Sequence, residues 1–345
     1  MVLLLILSGF FLLFVGGEAL VRGSVGIARK FGLSELVIGL TLVGFGTSLP
    51  ELVTSLRALD QGAVGLSIGN VIGSNVANVM LVLGAAALIM PIITSPRALA
   101  RDGSVVLGVT ILFAALVWFD QFSRITGILM VVLLVTYLVG SIWLDQRGDS
   151  EAAHMHEEES EAIETDDALW LAALLTVGGI LGVVFGARFL VDGGTAAARA
   201  LGVTETVIGI SVLAIGTSLP ELVTSIVAAR KGKADVALGN VLGSNIFNIL
   251  GIIGVSAIVF PFSITGGGVL DASAPLEVAA MTFDSAASLV SWTDMGALAL
   301  SVFLLGLFAY TGRKLARWEG AVLLLSYVVY LGLRFDLIPT LGGAL

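Results

Sequence analysis

Glu51 and Glu221 are the side chains of this chain best placed to do chemistry. Each lies in the same ten-residue string, Gly-Thr-Ser-Leu-Pro-Glu-Leu-Val-Thr-Ser, which occurs at 46–55 and returns letter for letter at 216–225. Both copies stand in strongly apolar surroundings. A carboxylate at membrane depth is expensive, and by default it marks an ion or substrate site. Two of them at matching places in two halves point to one shared site for a cation.

The neighbouring residues extend the set. Residues three and four apart share a helix face, so Thr47 and Ser48 point the same way as Glu51, and Thr217 and Ser218 the same way as Glu221. Pro50 and Pro220 are read as lying inside these helices. A proline there removes a donor and disturbs the carbonyl four residues back, at Gly46 or Gly216. Carbonyls freed near Thr47 and Thr217 become available as ligands where irregular backbone lines a cavity. The following segments, Gly69–Asn78 and Gly239–Asn248, carry Ser74 with Asn78 and Ser244 with Asn248, each pair four residues apart. Gly69 and Gly73, like Gly239 and Gly243, have the spacing that lets helix backbones approach closely. Asn70, Asn75, Asn240 and Asn245 are assigned to hydrogen bonding between helices.

Every candidate ligand is an oxygen. Two carboxylates with hydroxyls, amides and carbonyls suit a hard cation, and a flexible oxygen cage favours calcium. Sodium is similar in size and takes the same ligands, so several sodium ions could occupy the cluster in calcium's place. Protons compete for the empty site as well, because two close carboxylates repel when both are charged.

The elements that must position these residues are membrane helices. The chain has 345 residues, of which 57% are hydrophobic and 12% charged, about half the charged share of a soluble domain. Mean hydropathy is +1.05. Long apolar runs suit helices that cross the bilayer, and the alternating segments of a β-barrel are absent from the sequence. The expected fold is an all-α membrane protein of about ten transmembrane helices, at 2–21, 33–57, 68–90, 104–119, 124–144, 169–190, 203–229, 238–261, 295–312 and 318–334. Val2–Leu20 lacks a basic leader and a cleavage site, so it is read as a retained first helix. Glu51 and Glu221, like Asn70 and Asn240, are separated by 170 residues. Five helices per half is an odd number, so the halves enter the membrane from opposite sides as an inverted-topology repeat. The expected organisation is a first five-helix repeat at 1–144, a linker at 145–168 and a second repeat at 169–345.

The linker is strongly acidic and reads as solvated chain. With the N-terminus outside, twelve Lys/Arg fall on cytoplasmic loops and five outside, as the positive-inside rule asks. The linker is then cytoplasmic, in a multi-pass protein of the plasma membrane. Residues 266–294 are read as an extracellular loop. Glu18 with Arg22 and Arg188 with Asp192 are read as interfacial ion pairs, and Glu35 and Glu205 as acids at helix N-termini.

Two copies of GTSLPEL, each followed by GNxxGSNxxN, resemble the α-repeats of the calcium/cation antiporter superfamily, and most closely its prokaryotic sodium/calcium exchangers. The resemblance implies that Glu51 and Glu221 are the central calcium ligands and that Thr47 and Thr217 add backbone carbonyls. It implies sodium ligands at Ser48, Ser218, Ser74 and Ser244, together with Asn78 and Asn248. Several relatives have aspartate where this chain has Asn248. Asparagine there resembles the potassium-independent branch, so potassium co-transport is not expected.

The resulting expectation is a sodium/calcium antiporter that extrudes calcium by alternating access at a midplane site. The rival is an antiporter of calcium, or of another divalent cation, against protons. No cofactor is expected, only transported Ca2+ and Na+. The expected partners are these ions and the lipid bilayer, without nucleic acid, and the expected state is a monomer. A channel would need no counter-ion. An enzyme is excluded in this reading by the lack of a metalloprotease, phosphate-loop or nucleophile-elbow motif, and the absence of cysteine excludes disulfides and thiolate metal sites.

Overall fold

The computed structural model describes residues 1–93, 96–147, 168–201, 216–264, 291–312 and 314–334. The acidic segment 148–167, the first half of the expected seventh span, up to residue 215, and the loop 265–290 lie outside them. The described chain is almost entirely helical. Helix α1 (Val2–Phe31) leads into α2 (Glu35–Thr47), α3 (Leu49–Asp60) and α4 (Val64–Ile89). Helices α5 (Pro96–Phe119) and α6 (Arg124–Gln146) complete the first half. The second half contains α7 (Leu169–Ala200), α8 (Leu219–Arg230), α9 (Ala234–Val259), α10 (Trp292–Gly312) and α11 (Arg317–Arg334). Six of these helices are long and apolar enough to cross a membrane, or seven if the bent pair α2–α3 is one span.

Burial sorts them into two layers. Within their most apolar windows α4 is 72% and α9 89% buried, whereas α1 and α6 are each 22% buried. Leucine, valine and phenylalanine on the outward faces of α1, α6 and α7 are exposed in the bare protein. A bilayer would cover such faces. The inner helices α4 and α9 are surrounded by protein, so their polar residues must find partners there or hold something.

Glycine decides how closely these layers meet. Gly9, Gly16 and Gly23 line one face of α1 at seven-residue spacing, and Gly179, Gly186 and Gly193 do the same on α7, each 170 residues further on. The two helices cross antiparallel on this seam. Gly9 lies against Gly186 and Leu190, Gly16 against Gly182 and Val183, and Gly23 against Ala172 and Thr176. A Cβ on Gly16 would come within 2.7 Å of the Val183 nitrogen. Glycine also closes the hairpins after α3 and α8, where Gly62 and Gly232 adopt φ of 72° and 73°, a left-handed conformation that suits only glycine readily.

The ends of the two halves are tied together in matching fashion. Strand β1 (Ile92–Ile93), after α4, pairs antiparallel with β2 (Lys314–Leu315), after α10. Phe262 stands 170 residues after Ile92 and bridges to Phe122, which follows α5. The two phenylalanine rings stack at 4.7 Å. The outer helix pairs share a further device. Tyr137 of α6 donates to buried Asp102 of α5 at 3.2 Å, and Tyr330 of α11 donates to buried Asp294 of α10 at 3.0 Å. An arginine completes each group, Arg101 on Asp102 and Arg334 on Asp294.

The charged helix ends differ in part from the pairs read along the chain. Arg188 and Asp192 do form an exposed pair at 3.9 Å, of a kind that adds little stability. Glu18, read as a partner of Arg22, reaches beyond its own helix to Lys231 at the end of α8. Glu35 opens α2 as expected, after the cap Ser34, and also pairs with Lys233 at 2.7 Å.

Candidate functional site

The repeated string folds as a break rather than as a kinked helix. Ser48, with φ −87° and ψ 6°, ends α2, and Leu49 starts α3 with Pro50 in its first turn. The two helices meet at 42°. This corrects the placement of Pro50 inside a helix. A proline in the first turn loses no helical bond of its own, yet it supplies no N–H to the carbonyl of Gly46. Ser218, with φ −87° and ψ 5°, and Pro220 repeat this start at α8. A π-helical segment, Gly39–Val43, interrupts α2, and others begin α4's second part at Asn78 and span Phe247–Ile253 in α9. Such segments widen a helix and gather at functional sites.

Glu51 and Glu221 are fully buried. Neither Oε1 nor Oε2 of Glu51 has a hydrogen-bond partner among the described residues, nor has Oε2 of Glu221. Oε1 of Glu221 accepts from Ser48 Oγ of the other half at 3.0 Å. Ser218 Oγ and both amide atoms of Asn78 and of Asn248 are likewise buried without partners. Ser244 donates to the carbonyl of Gly44 at 3.3 Å, and Ser74 is buried on α4 in one helical stripe with Asn78. Thr47 Oγ1 stands 3.1 Å from both the Val43 carbonyl and Asn240 Oδ1. Its single proton is thus taken, which leaves the carbonyl as the group of Thr47 that could serve a cation. Thr217 is half-buried at the start of the matching turn.

A buried polar atom without a partner is costly, and a folded protein normally has few. Here such atoms concentrate on the residues read from the sequence as ligands. Among the described residues no group of three or more His, Cys, Asp or Glu occurs, so two carboxylates and neutral oxygens are the available set. That set fits a hard cation with a tolerance for irregular coordination.

The asparagines divide. Asn70 Nδ2 donates to the Glu51 carbonyl at 3.1 Å and to Ser55 Oγ at 3.0 Å. Asn240 Nδ2 does the same to Glu221 at 3.3 Å and to Ser225 at 2.9 Å. These two brace the acid-bearing helices, as expected. Asn75 does not act as a hydrogen-bonding link, since both its amide atoms lack partners among the described residues, as does Oδ1 of Asn245. The bracing serines Ser55 and Ser225 were not singled out in the sequence, although they close each repeated string. Gly239 and Gly243 meet the expected close approach, lying against Leu36, Gly39 and Leu40 of α2. Gly69 and Gly73 have no such neighbour among the described residues.

Known proteins resemble this chain in sequence and fold. A family model described as "Sodium/calcium exchanger protein" matches residues 1–143 and 171–335. The sodium/calcium exchanger MaX1 of Methanosarcina acetivorans is 34% identical, over 96% of this chain and 98% of its own. The inner membrane protein YrbG of Escherichia coli is 34% identical, over 74% of this chain and 79% of its own. A structure of the sodium-calcium exchanger NCX_Mj, soaked with sodium and calcium, superposes with a TM-score of 0.75. It is 33% identical and covers 96% of this chain and 97% of that one. By sequence over nearly its whole length and by fold, the chain belongs to the sodium/calcium exchanger family.

Proposed function

We propose that this protein exchanges sodium for calcium, sodium entry driving calcium extrusion by alternating access at one site shared between its halves. The observation that carries this reading is the pair of buried carboxylates, with Ser48 of the first half bonded to Glu221 of the second, both Glu51 oxygens open, and partnerless neutral oxygens on Ser218, Asn78 and Asn248. In this reading Glu51 and Glu221 bind calcium directly, with the carbonyls of Thr47 and Thr217. Ser48, Ser218, Ser74, Ser244, Asn78 and Asn248 supply sodium ligands. Two carboxylates neutralise one calcium ion, and sodium ions taking the same oxygens displace it, which is the competition that antiport needs.

The matching ties and the 170-residue offset support two inverted five-helix halves, 1–144 and 169–345, joined by a cytoplasmic linker at 145–168. The charge distribution supports an N-terminus outside the plasma membrane. The antiparallel glycine seam offers α1 and α7 a smooth track along which to slide or rock, exposing the site to one face and then the other. A monomer is sufficient for this cycle, since both halves of the site are in one chain.

Calcium uptake into sodium-loaded proteoliposomes tests the proposal. Uptake should require the outward sodium gradient and respond to membrane voltage if unequal charge moves, by about 2.3 kcal/mol per charge per 100 mV. Uptake driven equally well by a proton gradient with no sodium present would favour the proton-coupled rival. Calcium flux with no counter-ion gradient dependence would indicate a channel.

A further inference from the structure

We propose that Thr224 and Thr54 each supply one more cation-coordinating oxygen, on opposite sides of the central site, so that a cation leaving for either face passes one of them. This rests on the antiporter reading given above. Glu221 and Thr224 are three residues apart and so neighbours on the surface of α8, and Ser218 caps the start of that helix three residues before Glu221. Thr224 lies about 4.5 Å along the helix axis beyond Glu221. It is fully buried, and its Oγ1 has no partner among the described residues.

That condition is unusual for a threonine within a helix, whose hydroxyl ordinarily bonds back to a carbonyl of the preceding turn. Buried Ser24, Thr110, Thr176 and Ser301 all do so, whereas Ser67 and Ser256, which bear no such relation to a buried acid of the site, do not. Thr224 instead shares the unpartnered state of Ser218 Oγ and Glu221 Oε2, at steps of three residues along the chain. The next residue cannot substitute for it, because Ser225 Oγ is already taken by Asn240. In the first half Ser55 is likewise taken by Asn70, and Thr54, half-buried on α3, is the hydroxyl at the matching position three residues beyond Glu51.

The packing sets the two threonines on opposite sides. Gly39 lies against Val236 and Gly239, and Gly44 against Gly243 and Ser244, so α2 and α9 run in the same direction. Helix α3 continues α2 through its 42° bend. Helix α8 turns back into α9 through a short hairpin at Gly232 and therefore runs the other way. Thr224 thus lies from Glu221 toward the end that carries Lys231 and Lys233. Thr54 lies from Glu51 toward the opposite end, where α3 closes at Asp60. A single neutral hydroxyl binds a hard cation weakly, which suits a brief stop beside a tighter site.

The test uses the full protein in proteoliposomes of uniform orientation, with calcium or sodium titrated separately on each face. Thr224→Val should raise the half-saturating cation concentration about fivefold at the Lys231 face, the scale of one lost polar contact, and leave the other face unchanged. Thr54→Val should give the mirror result, and Thr224→Ser and Thr54→Ser should behave as wild type on both faces. Equal shifts on both faces, or no shift in either valine variant, would overturn the proposal. If a valine variant does not fold, Thr224→Ala and Thr54→Ala carry the same sided expectation. A wild-type protein that exchanges nothing would instead overturn the antiporter reading, a result distinct from sided exchange with unsided variants.

Discussion

The two halves carry the same ten residues around their acids and bond them differently. Thr47 and Ser48 of the first half reach across to Asn240 and Glu221 of the second. The reverse contacts are not made: Ser218 Oγ and both oxygens of Glu51 have no partner among the described residues. The braces behind the acids are nevertheless the same, with Asn70 and Asn240 each holding a carbonyl and a serine. Sequence symmetry therefore holds in the scaffold and breaks at the site. In the alternating-access reading proposed above, inverted halves in identical conformations would offer equal access to both faces, and this break of symmetry at the site is what such a carrier needs.

The largest expected effect removes the shared feature. Glu51→Gln and Glu221→Gln should each reduce exchange by at least about a hundredfold, as expected for loss of a metal ligand. Calcium at about a hundred times its Kd should stabilise the wild-type protein by about 2.7 kcal/mol in thermal melts, and neither glutamine variant should respond. One variant transporting normally would break the shared-site reading. Next come the scaffold glycines. Gly16→Leu and Gly179→Leu both push a side chain into the opposing backbone at the α1–α7 seam and should each cost about 1–3 kcal/mol or more, read as a lower melting temperature and yield.

The asymmetry itself is sharpened by a smaller pair. Ser48→Ala strands a buried carboxylate oxygen and should cost about 1–3 kcal/mol in ion-free protein. Ser218→Ala removes a hydroxyl that bonds nothing described, so its ion-free melting temperature should stay close to wild type. Equal losses would show that the difference between the halves does not persist in solution. The smallest effect tests the shared braces: Asn70→Ala should destabilise by about 1 kcal/mol, and Asn240→Ala by somewhat more because it also loses Thr47.

Much of this was legible along the chain because membrane burial makes polar residues conspicuous. Glu51, Glu221 and the serine–asparagine stripes stood out against apolar sequence, and the structure leaves many of their atoms open to a ligand. The break at Ser48 was harder to read, since a proline at position 50 is compatible with a kink inside a helix or with a new first turn. The heptad glycines of α1 and α7 were present in the sequence at the same 170-residue offset, yet glycine spacing alone does not name its partner helix. The Asp102–Tyr137 and Asp294–Tyr330 pairs were not legible at all. Their residues lie 35 and 36 positions apart on separate helices, and they fall outside the constant offset that marked the core.

The sequence by itself determined that apolar helices would carry two equivalent acids amid hydroxyl and amide side chains, because residue type, spacing and hydropathy are local properties. Only the tertiary structure decided which oxygens each acid meets. Ser48 is one residue from Leu49 along the chain and 173 from Glu221, yet its hydroxyl belongs to Glu221. That choice depends on how α2, α3, α8 and α9 cross, and the crossing is set by glycine contacts and helix breaks that act over the whole fold.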